Sequence, residues 1–147
     1  MAEPYDLSVK EAAASIRGGR LSAAELMRSL IARSTKLEPT LRVWVTLDED
    51  AAMQSAARSD IELRNSGSRG PLHGVPVGVK DIFYTNGVRT TGGSPIFADF
   101  VPAYDATAVA LLKRAGAIVM GKTVTTEFAC MDPPPTRNPW NAEHTPG

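Results

Sequence analysis

An α/β fold is predicted from three observations on the sequence. Residues Val75 to Val79 form an apolar, strand-like run between turn residues. A helix opening at Asp105 or Thr107 runs through Ala110, Leu111, Leu112 and Arg114 to a break at Gly116, and Ala117-Ile118-Val119-Met120 then reads as a short buried strand. Strand, helix and strand in that order make a crossover unit, which is nearly always right-handed and lays its two strands parallel in one sheet.

The segments ahead of that unit are read in order. Ser8-Val9-Lys10-Glu11 and Ser22-Ala23-Ala24-Glu25 both fit the capping box, in which the serine oxygen and the glutamate carboxylate satisfy the orphan amides of a helix start. The first helix should end at Gly18-Gly19. The second carries Leu26, Met27, Leu30, Ile31 and Leu37 on one stripe, should stop before Pro39, and should lie antiparallel to the first. Leu41, Val43, Val45 and Leu47 alternate with Arg42, Trp44 and Thr46, the pattern of a strand with one apolar face. Asp48 caps a third helix whose apolar positions are Ala52, Met53, Ala56 and Ile61, ending in the turn-rich run from Asn65 to Gly70. Thr85-Asn86-Gly87 is a turn, and Thr90-Thr91-Gly92-Gly93-Ser94 a flexible loop with hydroxyls and free backbone amides that either lines a site or is plain surface. The final stretch from Pro133 to Gly147 is proline-rich extended loop.

Composition narrows the function classes. The chain has 147 residues, the size of one domain, and 43% of them are hydrophobic, enough to bury a core. Lys plus Arg and Asp plus Glu both number 16, so the net charge is zero and nothing favours capture of nucleic acid or of an anionic membrane. No stretch approaches a membrane span, and the N-terminus lacks the basic and apolar regions of a leader, so a cytoplasmic protein is the expectation. The single cysteine, Cys130, and the two separated histidines, His73 and His144, offer no disulfide and no metal cluster. No metal and no cofactor are therefore expected, and small molecules or proteins are the expected partners.

Lys80 is the candidate catalytic residue. If Val75, Val77 and Val79 cover one face of their strand, Lys80 shares the other with Gly78, which has no side chain and leaves room beside the amine. A lysine held in a dry place is disfavoured as a cation and can act as a base near neutral pH, unlike an exposed lysine with its pKa of about 10.4. The alternative on the same pattern is a strand-end lysine paired with Asp81 and reaching water. Two further patterns compete. Gly116 to Thr123 fits the spacing of a phosphate-binding loop, but its four intervening residues are apolar and belong to the strand itself, whereas a phosphate loop follows its strand. Glu127 and Cys130, three apart, would with Lys80 supply the Glu, Lys and Cys of a thiol amidase. A truncated, non-catalytic interaction module is the third alternative.

Five stretches together resemble the amidase signature family: Gly70-Pro71-Leu72-His73-Gly74-Val75-Pro76-Val77-Gly78-Val79-Lys80-Asp81; Thr91-Gly92-Gly93-Ser94; Asp105-Ala106 opening a helix; Gly121-Lys122-Thr123 followed by Glu127-Phe128-Ala129; and Arg137-Asn138-Pro139-Trp140-Asn141. The resemblance implies the N-terminal part of that fold, an α/β arrangement of helices on a mixed sheet. It implies one incomplete domain, with helices and a strand over 1–69 and the lysine strand, crossover unit and loop over 70–147. Members cleave or transfer from amides without a metal, using a serine nucleophile, a second, bridging serine and a lysine, and the resemblance makes Lys80 that lysine. The family carries both serines in and beyond a Gly/Ser-rich segment that follows the Asn-Pro-Trp-Asn and Pro-Gly stretch. Neither matches a residue here, Ser94 included, so the 147 residues alone are expected to be inactive. A small amide is the implied substrate, with no nucleic acid and no membrane; a homo-oligomer is compatible. Met131 and Asp132 lie where a substrate would approach.

Overall fold

The computed structural model describes residues 3–130 and 132–146, so the approach position expected for Met131 lies outside the described residues. Four α-helices and three strands follow in the order α1 (Val9–Arg17), α2 (Ala23–Leu41), β1 (Trp44–Leu47), α3 (Glu49–Ser66), β2 (Pro76–Lys80), α4 (Thr107–Arg114) and β3 (Ile118–Thr123). The sheet order is β1-β3-β2. β1 runs antiparallel to β3, with Thr46 opposite Lys122 and Leu47 opposite Gly121. β2 and β3 run the same way: the Ile118 amide donates to the Val75 carbonyl, and the Asp81 amide to that of Thr123. The sheet is therefore mixed and the class α/β, as the sequence predicts.

By contact the chain divides into two compact units, the first comprising Met1–Ser34, Asp48–Val77 and Leu111–Met120, the second Thr35–Leu47, Gly78–Ala110 and Gly121–Gly147. Each draws on both sides of the boundary between residues 69 and 70.

In the first unit the helix starts are those the sequence encodes. Ser8 Oγ accepts from the Glu11 amide while Glu11 accepts from the Ser8 amide, and Gly18 ends α1. Ser22 and Glu25 make the same reciprocal pair at α2. That terminus gains a second anion, because the Asp60 carboxylate accepts from the Ala23 and Ala24 amides at 2.7 and 3.1 Å. Asp48 caps α3 through the Ala51 amide. Ala12, Ala13, Ile16, Ala23, Leu26, Met27, Ala52, Ala56, Val75, Ala117, Ile118 and Met120 form an apolar core. Ile61, expected inside, is 49% exposed. The α3 stripe is instead completed by Ser59, buried with its carbonyl against His73.

His73 is held from both ring nitrogens. Its Nδ1 accepts from the Arg69 amide at 3.0 Å, so Nε2 carries the hydrogen and donates to the Ser59 carbonyl at 2.9 Å. Gly116 has a φ of +92°, and a Cβ there would sit 2.7 Å from the His73 Cα. Gly116→Ala is therefore expected to cost roughly 3 kcal/mol, the sum of a left-handed non-glycine residue and an overpacked contact. A urea titration that left the midpoint unchanged would contradict this.

The second unit holds two further departures from what the sequence predicts. α2 does not stop before Pro39 but continues to Leu41. A proline in the last turn forgoes one amide and the helix tolerates it there, because Glu38 takes over the terminus: its carbonyl accepts from the Arg42 amide and its carboxylate from the Val43 and Trp44 amides. Arg42, at φ 53°, then turns the chain, so β1 begins at Trp44 rather than Leu41. All four β1 residues are half-buried, and no single apolar face distinguishes the strand.

Candidate active site

The buried residues of the second unit differ in kind from those of the first. Among the described residues its buried apolar side chains are Val79, Pro102 and Val109, while Asp81, Thr85, Thr90, Thr91, Ser94, Lys122 and Thr125 are polar or charged. Desolvating polar groups is costly unless they are paired, so such a concentration marks a place where geometry is specified by hydrogen bonds.

Lys80 is the last residue of β2 and is exposed. Its amine makes no hydrogen bond or ion pair among the described residues. Val75 and Val79 are buried and Val77 half-buried, as the alternation requires. The space beside Gly78 is not open, however: a Cβ there would meet Thr123 Cγ2 at 3.0 Å and the Trp44 ring at 3.3 Å. The strand by itself therefore does not desolvate the Lys80 amine. Nor does Lys80 pair with Asp81, whose side chain points the other way.

Immediately after Lys80 the chain turns, the Phe83 amide donating to the Lys80 carbonyl at 3.0 Å. This turn is gripped from beneath by Lys122. The Lys122 amine, wholly buried, donates to the Phe83 carbonyl at 2.8 Å and to Thr90 Oγ1, and stands 3.3 Å from Asp81 Oδ1. Thr90 can accept because its own hydrogen goes to the Val88 carbonyl. Asp81 has no exposed surface. Its Oδ2 accepts from the amide and hydroxyl of Thr91 at 2.9 and 2.6 Å, while Oδ1 faces the ammonium as an ion pair rather than an aligned hydrogen bond. Burial pushes the Lys122 amine below its ordinary value, and the Asp81 charge restores it only in part.

The loop after Thr90 has no free amides. Thr91 N bonds Asp81 Oδ2, Gly92 N the Asp81 carbonyl, Gly93 N the Thr91 hydroxyl and Ser94 N the Thr91 carbonyl. Gly92 and Gly93 have positive φ, and a Cβ on Gly93 would meet the Thr125 and Thr126 carbonyls at 2.9 Å. The expectation of free donors in this loop is thus corrected: it is a folded structural element, its donors satisfied internally. Ser94 is buried, donates its hydroxyl hydrogen to Glu127 Oε1 at 2.6 Å and accepts from the Ile96 amide. A hydroxyl so engaged is no exposed nucleophile.

The two competing patterns fare differently from Lys80. Gly121-Lys122-Thr123 lies inside β3, and Gly121 is packed so tightly that a Cβ would meet the Thr46 carbonyl at 2.5 Å. No phosphate can approach a wholly buried, engaged lysine, so the phosphate-loop reading is excluded. Glu127 lies in a single helical turn, Glu127–Ala129, and holds Ser94; the exposed Cys130 thiol meets only the Phe128 carbonyl, and neither is brought to Lys80 by any contact among the described residues. Among the described residues no three His, Cys, Asp or Glu side chains converge as a metal site requires, and no helix is long and apolar enough to cross a membrane. The extended loop is tied back to the end of α2, Arg137 N donating to the Leu41 carbonyl at 2.9 Å and Thr136 Oγ1 to that of Arg42. Asp132 is exposed, and Trp140 is 94% exposed.

The buried role of Lys122 escaped the sequence reading, although a signal existed. Ile118, Met120 and Lys122 alternate along β3, and the first two are apolar core, so parity alone puts the lysine on an inward face.

The chain belongs to the amidase family, whose model matches residues 25–147. It is 40% identical over 97% of its length to the A subunit of the glutamyl-tRNA(Gln) amidotransferase of Roseiflexus sp. (strain RS-1), and 44% identical over 99% to that of Heliobacterium modesticaldum. It covers only 30% and 29% of those two proteins. The peptide amidase of Stenotrophomonas maltophilia superposes with a TM-score of 0.88 at 33% identity, over 99% of this chain and 32% of that one. The fold is thus that part of the amidase signature fold which the sequence resemblance implied.

Proposed function

We propose that the chain supplies the lysine base of an amidase, an enzyme that cleaves or transfers from a carbon–nitrogen amide bond through a serine nucleophile. The observation that carries this reading is the match of residues 25–147 to the amidase family, with Lys80 left uncommitted at the end of β2 while Lys122, the other lysine of the site, is held by Phe83, Thr90 and Asp81.

In this reading Lys80, in its neutral form, takes a proton from a bridging serine, which takes one from the nucleophilic serine as that oxygen attacks the amide carbonyl. The tetrahedral oxyanion collapses with loss of the amine, and water or a second amine resolves the acyl-enzyme. Backbone amides stabilise the oxyanion, each worth roughly 3 kcal/mol; they do not come from residues 91–94, whose donors are spent. Neither serine is assigned to a residue among 1–147, where the Ser94 hydroxyl is spent on Glu127. A small amide is the substrate. The named relatives support both branches, hydrolysis by a peptide amidase and transfer by part of an amidotransferase.

The reading is tested by assaying a simple amide with the 147-residue chain and with the complete enzyme carrying it. The chain alone should give no turnover, and the complete enzyme should keep its rate within twofold on Cys130→Ser. Turnover by the chain alone would show that the serines were wrongly placed, and abolition by Cys130→Ser would move the nucleophile to the thiol.

A further inference from the structure

We infer that Lys122 is a positioning residue for Lys80, acting through Asp81 and the turn that follows β2. The inference rests on the proposal that Lys80 is the base. Three fixed points surround the Lys80 backbone. Its carbonyl accepts from the Phe83 amide, and the Phe83 carbonyl in turn accepts from Lys122 Nζ at 2.8 Å. The next residue, Asp81, is pinned through its amide to the Thr123 carbonyl at 2.9 Å and through its carboxylate to Lys122 and Thr91. The Lys122 amine thus reads two of the four residues of the turn, Asp81 and Phe83, from the buried side while the Lys80 side chain leaves on the exposed side. The same amine holds Thr90, the residue that opens the Thr91 to Ser94 loop, so one buried cation ties strand end, turn and loop together.

A lysine side chain has four rotatable bonds, so the place of its amine depends on where its Cα is held, and a displacement of about 1 Å at a reacting group can cost a hundredfold in rate. An ion pair without exposed surface is a weak source of stability, because desolvation of both charges offsets their attraction; its better-attested use is to specify one geometry. Both points favour positioning over stabilisation as the role of this pair.

The test separates the two roles. In the complete enzyme, Lys122→Met combined with Asp81→Asn removes both charges at once, so the fold should persist with a cooperative melt while kcat falls about a hundredfold and KM stays within threefold. A folded double variant with kcat within threefold of the parent overturns the inference. Should the double variant not fold, Thr91→Val decides: it deletes the hydroxyl bond to Asp81, with the one that hydroxyl accepts from Gly93 N, and keeps the ion pair, and kcat should fall about tenfold at unchanged KM, an unchanged kcat counting against the inference. Lys80→Met assayed alongside distinguishes the two claims. If it retains turnover, the base assignment fails; if it is inactive while the folded double variant is normal, only the positioning role fails.

Discussion

Lys80→Met in the complete enzyme is expected to slow acylation by roughly a hundredfold to ten-thousandfold, the range general-base catalysis supplies. Methionine keeps the length and the apolar stem and removes only the amine. The fold should not register the change, because Lys80 is exposed and its amine makes no hydrogen bond or ion pair among the described residues. The melting temperature should therefore stay within about a degree, as for surface substitutions of less than about 0.5 kcal/mol. The burst of released amine should be lost with the steady-state rate, since acylation precedes both. A near-normal burst would make Lys80 an ordinary surface lysine, and the base would have to lie elsewhere.

The second large effect is on stability. Lys122→Met alone should destabilise the 147-residue chain by about 3–5 kcal/mol, because it strands the Asp81 carboxylate without its counter-charge in an interior with no access to water. A loss of less than 1 kcal/mol in urea titrations would show that the carboxylate finds another partner. The pair also sets a pH dependence. Burial lowers the Lys122 pKa beneath its ordinary 10.5. Between the lowered value and the ordinary one, the unfolded chain binds more protons than the folded chain. The contribution of Lys122 to stability therefore rises with pH across that window, and below it the cost of burying the cation is fully present. The methionine variant should lack this alkaline rise.

What the sequence makes legible is what short-range chemistry determines. The capping boxes at Ser8 and Ser22, the Asp48 cap and the Gly18 stop need only three or four consecutive residues, and all are present. The crossover from β2 through α4 to β3 is equally readable, since each piece has its own period. Pro39 misleads because the rule against proline is strict for helix interiors and looser in a last turn, beyond which the Glu38 carboxylate receives the Val43 and Trp44 amides. The candidate site is half readable. Lys80 stands out by its setting, but the partners of Asp81 do not, because its bonds run to Thr91 and Lys122, on separate segments that no local pattern brings together. Ser94 reads as a loop hydroxyl on offer; only the fold shows it spent on Glu127.

The Lys122 hydrogen bonds reach 39 residues back to Phe83 and 32 back to Thr90. An ammonium stripped of water before its acceptors arrive would be prohibitively unfavourable. Lys122 can therefore give up its water only as Phe83, Thr90 and Asp81 arrive, so strand end, turn and loop are expected to lock together rather than one by one.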